Sequence, residues 1–128
     1  MPRFVVQRHD RQGQLTHWDL MLEQGDVLKT FRLDRPPVDV LTEAVSAIAI
    51  ADHPVRFLTY EGSVNQGLGC VQIAERGTYT ATLQTQESWD MEMDGAILRG
   101  RFLLSHVQAE RWRLSRTGPG LSSLVPGQ

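Results

Sequence analysis

The chain has 128 residues and a mass of 14.4 kDa, room for one domain that buries about two thirds of its unfolded surface. Its composition, 41% hydrophobic and 22% charged, excludes a disordered or collagen-like chain. A net charge of -2 argues against a non-specific nucleic-acid coat, and no apolar run reaches the roughly 18 residues of a membrane span. The amino terminus lacks the charged start and apolar stretch of a signal peptide, so a cytoplasmic monomer without membrane contact is expected. The lone cysteine, Cys70, rules out an intrachain disulfide and a thiolate metal cluster. Any metal site must therefore be built from histidine and carboxylate.

In chain order the pattern is mostly period two with turn residues at short intervals, the signature of antiparallel strands. The predicted strands are Arg3–Arg8, Leu15–Glu23, Val27–Leu33, Ser46–Ile50, Gly69–Glu75, Thr78–Gln84, Ser88–Met93, Ile97–Ser105 and Arg111–Ser115. Gly25-Asp26, Arg76-Gly77 and Asp94-Gly95 are expected to supply the positive backbone angles of tight hairpins. Arg35-Pro36-Pro37 stops a strand, because proline cannot donate to a ladder. Asp39–Ala47 has near-helical apolar spacing, enough for one or two turns. The fold class expected is all-β: a compact antiparallel β-barrel over residues 1–116, with at most one or two short helices. From Thr117 to Gln128 the sequence loses periodicity and reads as a flexible tail.

Alternation on the second strand puts His17, Asp19, Met21 and Glu23 on one face, opposite Thr16, Trp18, Leu20 and Leu22. The connection from His9 to His17 is short enough for a hairpin, so Gln7 and His9 are expected beside them. An imidazole pair and a carboxylate with open positions can hold Mn²⁺, Zn²⁺ or Fe²⁺, although cross-strand His and Asp also form ordinary surface pairs. His53, held extended by Pro54, and His106 read as loop or structural histidines on spacing alone. Arg99 and Arg101, with Arg111 and Arg113, are candidates for a small cationic strip. Of the 13 basic residues twelve are arginines, a usage that suits bidentate phosphate contact but also follows from coding bias. No Ser-His-Asp arrangement, nucleophilic-cysteine setting or phosphate-cradling glycine loop can be assembled.

The segments Phe4-Val5-Val6-Gln7-Arg8-His9, His17-Trp18-Asp19-Leu20-Met21-Leu22-Glu23 and Val27-Leu28-Lys29-Thr30-Phe31 resemble a known family. So, in the same order, do Asp52-His53-Pro54, Tyr60-Glu61-Gly62, Gly100-Arg101-Phe102-Leu103-Leu104 and Arg111-Trp112-Arg113-Leu114. The family is the 3′-phosphoesterase domain of bacterial ligase D, the end-processing module of bacterial non-homologous end joining. The combination of first histidine, His-aromatic-Asp-Leu strand and Asp-His-Pro corner is far more specific than any one of them.

The resemblance implies a β-barrel with a concave face holding one Mn²⁺, or another divalent ion such as Zn²⁺ or Co²⁺. It implies removal of a 3′-terminal ribonucleotide or 3′-phosphate from nucleic-acid ends such as primer-template DNA. His9, His17 and Asp19 match the family's metal ligands, and His53 matches the histidine that engages the phosphate. That makes His53, Asp19 and His17 the catalytic set. Gln7, Glu23 and Arg35 match residues that bind phosphate or lie beside the site. The chain departs from the family at Met21, Phe57, Ala51 and Arg35, where arginine, tyrosine, glutamate and lysine are usual, and its His9-to-His17 spacing is longer. Met21 is thus expected to face the site where a guanidinium is missing, with Arg35, Arg56, Arg99 or Arg101 as possible replacements. With no ligase or primase segment in the sequence, the chain is expected to act alone or in trans with a repair ligase or polymerase. A different reading on the same fold is a non-catalytic module that binds nucleic-acid ends or a repair protein.

Overall fold

A computed structural model describes residues 1–118. Nine strands form one antiparallel sheet: β1 (Arg3–Arg11), β2 (His17–Gln24), β3 (Val27–Leu33), β4 (Val45–Pro54), β5 (Gly62–Val64), β6 (Gly69–Gln84), β7 (Ser88–Gly95), β8 (Arg99–Gln108) and β9 (Arg111–Gly118). Because β1 pairs with both β2 and β6, eight of them close into a barrel in the order β1-β2-β3-β4-β9-β8-β7-β6. The short β5 adds to the start of β6 outside that ring. Closure removes the exposed edges that an open sheet would leave. No helix among the described residues is long and apolar enough to cross a membrane.

Strand alternation sorts the apolar residues into two cores. Phe4, Val6, Leu20, Leu22, Phe31 and Leu33 point inward and meet Trp89, Met91, Met93, Phe102, Leu104 and Leu114 from the far wall. Their neighbours Val5, Met21 and Leu28 point outward, where the 3₁₀ turn Val55–Leu58 covers them and Leu58 completes a second, smaller core. Met21 is 1% exposed in that outer core. It shares the face of His17 and Asp19, as expected, but it is sealed beneath a turn and does not reach a site.

The structure corrects several boundaries. The expected helix at Asp39–Ala47 is a 3₁₀ turn over Pro37–Leu41, after which the chain is already in β4 at Val45. Pro36 and Pro37 start the turn with preset φ, and the β-branched Val45, Ile48 and Ile50 favour the ladder that follows. Further 3₁₀ turns lie at Val55–Leu58 and Asn65–Gly67. Arg76-Gly77 is no hairpin, since β6 passes through it unbroken for 16 residues. Gly77 pairs with Gly95, and a Cβ on Gly77 would collide with the Asp94 carbonyl. Gly77 serves close backbone approach and Gly95 leaves room for the Glu75 and Phe4 side chains, whereas Gly25, at φ 62°, does supply the positive angle of the β2–β3 hairpin. Thr117 and Gly118 continue β9, and the rest of the expected tail, 119–128, lies outside the described residues.

The turn from β7 to β8 has a side chain at its centre. Glu75, 5% exposed, accepts the backbone N–H of Ala96 at 3.1 Å, of Ile97 at 2.5 Å and of Leu98 at 2.7 Å. A buried carboxylate so bonded ties β6 to the turn and leaves no orphan donors there.

Candidate metal centre

The hairpin between β1 and β2 places His9 directly opposite His17, and the next same-face pair is Gln7 with Asp19. The two imidazole rings meet edge to face with centroids 4.5 Å apart. Oδ2 of Asp19 lies 3.5 Å from Nε2 of His17 and 4.0 Å from Nδ1 of His9. All three candidate ligand atoms fall within 4.8 Å of one another, and Asp19 is only 3% exposed. Donor atoms around an ion with bonds of about 2.1 Å stand roughly 3.0 to 3.4 Å apart. The trio is therefore close to a ligand set, needing only a small turn of one ring.

A second observation supports the fit. Nε2 of His17 is buried and has no hydrogen-bond partner among the described residues. Leaving a buried polar atom unsatisfied is costly, and such an atom beside a carboxylate and a second imidazole is what a cation would satisfy. Burial lowers the pKa of both His9 and His17, Asp19 opposes that shift, and Arg32 adds to it. Both rings are thus held neutral with a lone pair available, as metal ligation requires.

The trio opens onto a cleft of about 410 Å³. Arg11, Arg32 and Asn65 line it near the histidines, and Ile50, Asp52 and His53 continue it along β4. The cleft runs along the outer wall of the barrel, on the face opposite the main core. The expected concavity is thus on the outside, beside the chain excursion between β4 and β6.

His53 is brought to the cleft and oriented by its neighbours. Its Nδ1 lies 3.1 Å from the Ala51 carbonyl and 2.9 Å from Oγ1 of Thr30, whose own hydroxyl donates to the Leu28 carbonyl. A carbonyl can only accept, so Nδ1 carries a proton, and Nε2 is the ring nitrogen left without a partner from these two contacts. Phe57 packs against the imidazole edge to face at 5.5 Å, and the Arg56 guanidinium lies over the Phe57 ring, 4.8 Å from its centroid. Gln7 does not enter the cleft. It is 1% exposed, and its amide donates to the carbonyls of Phe57 and Tyr60 at 2.9 and 2.8 Å, pinning the segment that carries Phe57.

Two expected site residues are elsewhere. Glu23 lies at the far end of β2, where Arg3 donates to it from Nε at 3.0 Å and Nη2 at 2.6 Å. Arg35 pairs with Asp39 at 2.8 Å and Glu43 at 2.7 Å, outside the cleft. Arg56, Arg99 and Arg101 do not line it either, and the expected strip fails because Arg101 faces Gly118 and Arg111 faces Gln108 across β8 and β9.

Sequence reasoning missed the cation that does stand there. Nε of Arg32 donates to Oδ1 of Asp19 at 3.4 Å, and its side chain is 43% exposed. The signal was present: a two-residue turn at Gly25-Asp26 sets the β2–β3 register, and counting back from Gln24 and Val27 puts Arg32 opposite Asp19. Asn65, whose Nδ2 lies 3.4 Å from Nε2 of His9, had no comparable signal, because tertiary folding of the β5–β6 region brings it there.

A closed antiparallel barrel with a His₂Asp trio in a cation-flanked outer cleft defines a candidate metal-binding β-barrel domain. Comparison with known proteins then gives its family. The DNA Ligase D 3′-phosphoesterase domain matches residues 7–106, and the chain belongs to that family. It is 32% identical over 112 residues to the multifunctional non-homologous end joining protein LigD of Pseudomonas aeruginosa, covering 80% of this chain and 13% of that protein. It is 27% identical over 128 residues to the protein of the same name from Mycolicibacterium smegmatis, covering 89% of this chain and 16% of that protein. The Mycobacterium bovis LigD is 28% identical over 124 residues, covering 88% of this chain and 16% of that protein. The chain therefore spans about one seventh of the length of these relatives.

Proposed function

We propose that this chain is a divalent-metal-dependent phosphoesterase that trims the 3′ ends of nucleic acid, removing a terminal ribonucleotide or a 3′-phosphate, in end joining. The observation that carries this reading is the convergence of His9, His17 and Asp19, with an orphaned His17 nitrogen, in one cleft that also holds Arg32 and His53.

His9, His17 and Asp19 would hold the ion, with Mn²⁺ the first candidate and Zn²⁺ or Co²⁺ alternatives. Such an ion, when bound, polarises a phosphoryl oxygen and lowers the pKa of a water. Arg32 supplies a guanidinium at the cleft wall that can neutralise a phosphate oxygen, the task for which Met21 is chemically unfit. His53, with Nδ1 tied to Ala51 and Thr30, presents Nε2 to the cleft; with a second proton on Nε2 the ring would contact the phosphate through that N–H and pass the proton to the leaving oxygen. Gln7 and Phe57 keep that ring in place.

The test is an assay on a primer-template ending in a ribonucleotide or a 3′-phosphate, with and without Mn²⁺. Product that requires both the metal and His17 supports the phosphoesterase. Binding of the same ends with no product, unchanged in His17→Ala, would replace it with a non-catalytic end-binding module. That second reading draws on Arg35, whose charge is engaged by Asp39 and Glu43 away from the cleft.

A further inference from the structure

The charges that line the cleft do not balance. Asp19 stands against Arg32, and Asp52 against Lys29, whose Nζ lies 3.3 Å from Oδ2. Arg11 is left over, since no carboxylate among the described residues pairs with its guanidinium. The cleft therefore holds an excess positive charge in a chain whose net charge is -2.

On open surface water solvates an arginine and nothing follows from its lack of a partner, but the place of Arg11 is different. It ends β1 two residues after His9 and on the same face, roughly 7 Å along the strand from a ring of the candidate metal centre. A fixed positive charge there opposes a cation at the trio, and an anion between the two relieves that repulsion. Arg32 flanks the trio from the other side, on β3 and opposite Asp19. Two guanidinium groups thus stand diagonally across His9, His17 and Asp19.

The loop after β1 fixes the backbone that carries Arg11. Gln14 donates its N–H to the Arg11 carbonyl at 3.0 Å, and Gln12 donates to the Leu68 carbonyl at 3.1 Å. Oγ1 of Thr16 closes the hairpin on Oδ1 of Asp10 at 2.6 Å. A cation on a backbone braced at these three points gives up less freedom when it binds. The anion it suits is set by charge. A terminal phosphomonoester carries close to two charges at neutral pH and three unesterified oxygens, whereas a phosphodiester carries one charge and two such oxygens. The third oxygen is what a second guanidinium can hold once Arg32 and the trio have taken the others.

We infer that Arg11 is a specificity-determining residue: its guanidinium, across the trio from Arg32, holds the oxygen that only a terminal phosphate leaves unesterified, and so selects a 3′-phosphate end over a 3′-hydroxyl end. The inference rests on the phosphoesterase reading for the polymer that carries the phosphate, but it is measured apart from catalysis.

The experiment uses the full chain in EDTA with a fluorescein-labelled primer-template whose primer ends in a 3′-phosphate or a 3′-hydroxyl. Anisotropy should show the 3′-phosphate end bound about tenfold more tightly. Moving the phosphate to the 5′ end of the facing strand should abolish that gain. Arg11→Gln should cut the preference to about twofold or less, and Arg11→Lys, which keeps the charge, should retain more of it. Titration of Mn²⁺ without DNA gives a readout that a merely structural role would move the other way. Arg11→Gln removes a like charge and should bind Mn²⁺ at least as tightly as the native chain, whereas loss of a prop for β1 would weaken it. Equal affinity of the native chain for the two primer ends overturns the inference without any variant. So does an undiminished preference in Arg11→Gln, an equal gain from the 5′-phosphate, or weaker Mn²⁺ binding in Arg11→Gln. An Arg11-dependent preference without 3′-end processing in Mn²⁺ would sink the phosphoesterase reading and leave the phosphate contact standing. Processing without that preference would do the reverse.

Discussion

Arg32 and His17 both touch Asp19, and the physical difference between them separates binding from turnover. His17 offers a buried lone pair, whereas Arg32 is a half-exposed cation whose single long hydrogen bond contributes little to stability. His17→Ala is expected to lower Mn²⁺ affinity by more than about 100-fold, because one of three ligands is gone. Arg32→Ala should weaken Mn²⁺ by no more than about tenfold while cutting 3′-end turnover by about 10²-fold, the usual cost of losing a charged donor to a transferring phosphoryl group. Calorimetric titration of Mn²⁺ and single-turnover kinetics on both variants check the pair. Equal loss of metal affinity in the two would mean that Arg32 acts only by orienting Asp19. The Met21→Arg exchange is a poor route to a stronger clamp, since that side chain is enclosed with Val5, Leu28 and Leu58.

At the scale of the element, two connections carry strain or support that single residues reveal. Gly77 sits in mid-strand where β6 changes partner, facing Gly95 on β7, and a side chain there would strike the Asp94 backbone. Gly77→Ala should therefore destabilise the fold by about 2 kcal/mol or more, read by urea unfolding, because the obstructing atom is backbone and cannot swing away. The excursion between β4 and β6 depends on Gln7, whose amide satisfies two carbonyls of that segment. Gln7→Leu should cost on the order of 2 kcal/mol and speed hydrogen exchange in residues 55–61, since both carbonyls lose a buried donor. Its effect on turnover should follow from a loosened Phe57 and His53. An unchanged exchange rate in that segment would show the pin to be dispensable.

The barrel as a whole is closed by β1, and its amino-terminal end is fastened by a partly exposed ion pair. Arg3 holds Glu23 through two side-chain contacts and its backbone N–H at 2.9 Å, and those contacts lower the Glu23 pKa to about 2. Burial opposes that shift, and Glu23 also hydrogen-bonds through its carbonyl to Tyr79, whose phenol burial pushes up to about 12. A carboxylate with a depressed folded pKa stabilises above its unfolded value of about 4.5 and loses that contribution as pH falls toward about 2. Because Arg3 is 54% exposed, solvent screens the pair and keeps its contribution small. Glu23→Gln should thus be slightly less stable than the native chain at pH 7, with the gap closing between pH 4.5 and pH 2. Urea midpoints across that range measure it, and a gap that stayed constant would count against the pair.

Local spacing determined much of this molecule by itself. Period-two alternation specified an all-β chain, the Gly25-Asp26 turn specified a hairpin, and the two together placed His17 and Asp19 on one face with Arg32 across from them. The short link between His9 and His17 did the same for the first ligand. Spacing also separated the apolar face of Leu20 and Leu22 from the face of His17, Asp19 and Met21. What it could not specify was that the 3₁₀ turn at Val55–Leu58 would cover the Met21 end of that outer face and seal the side chain away from the site. Gly77 was misread for a related reason: a glycine needed for close approach looks, in sequence, like one needed for a turn. Glu23, Arg35 and Gln7 fell away from the cleft because their partners, Arg3, Asp39 and the Phe57 carbonyl, are met only through folding. Asn65 and His53 came to the site by the same means, since a contact between residues far apart in the chain is set by packing and not by any local period.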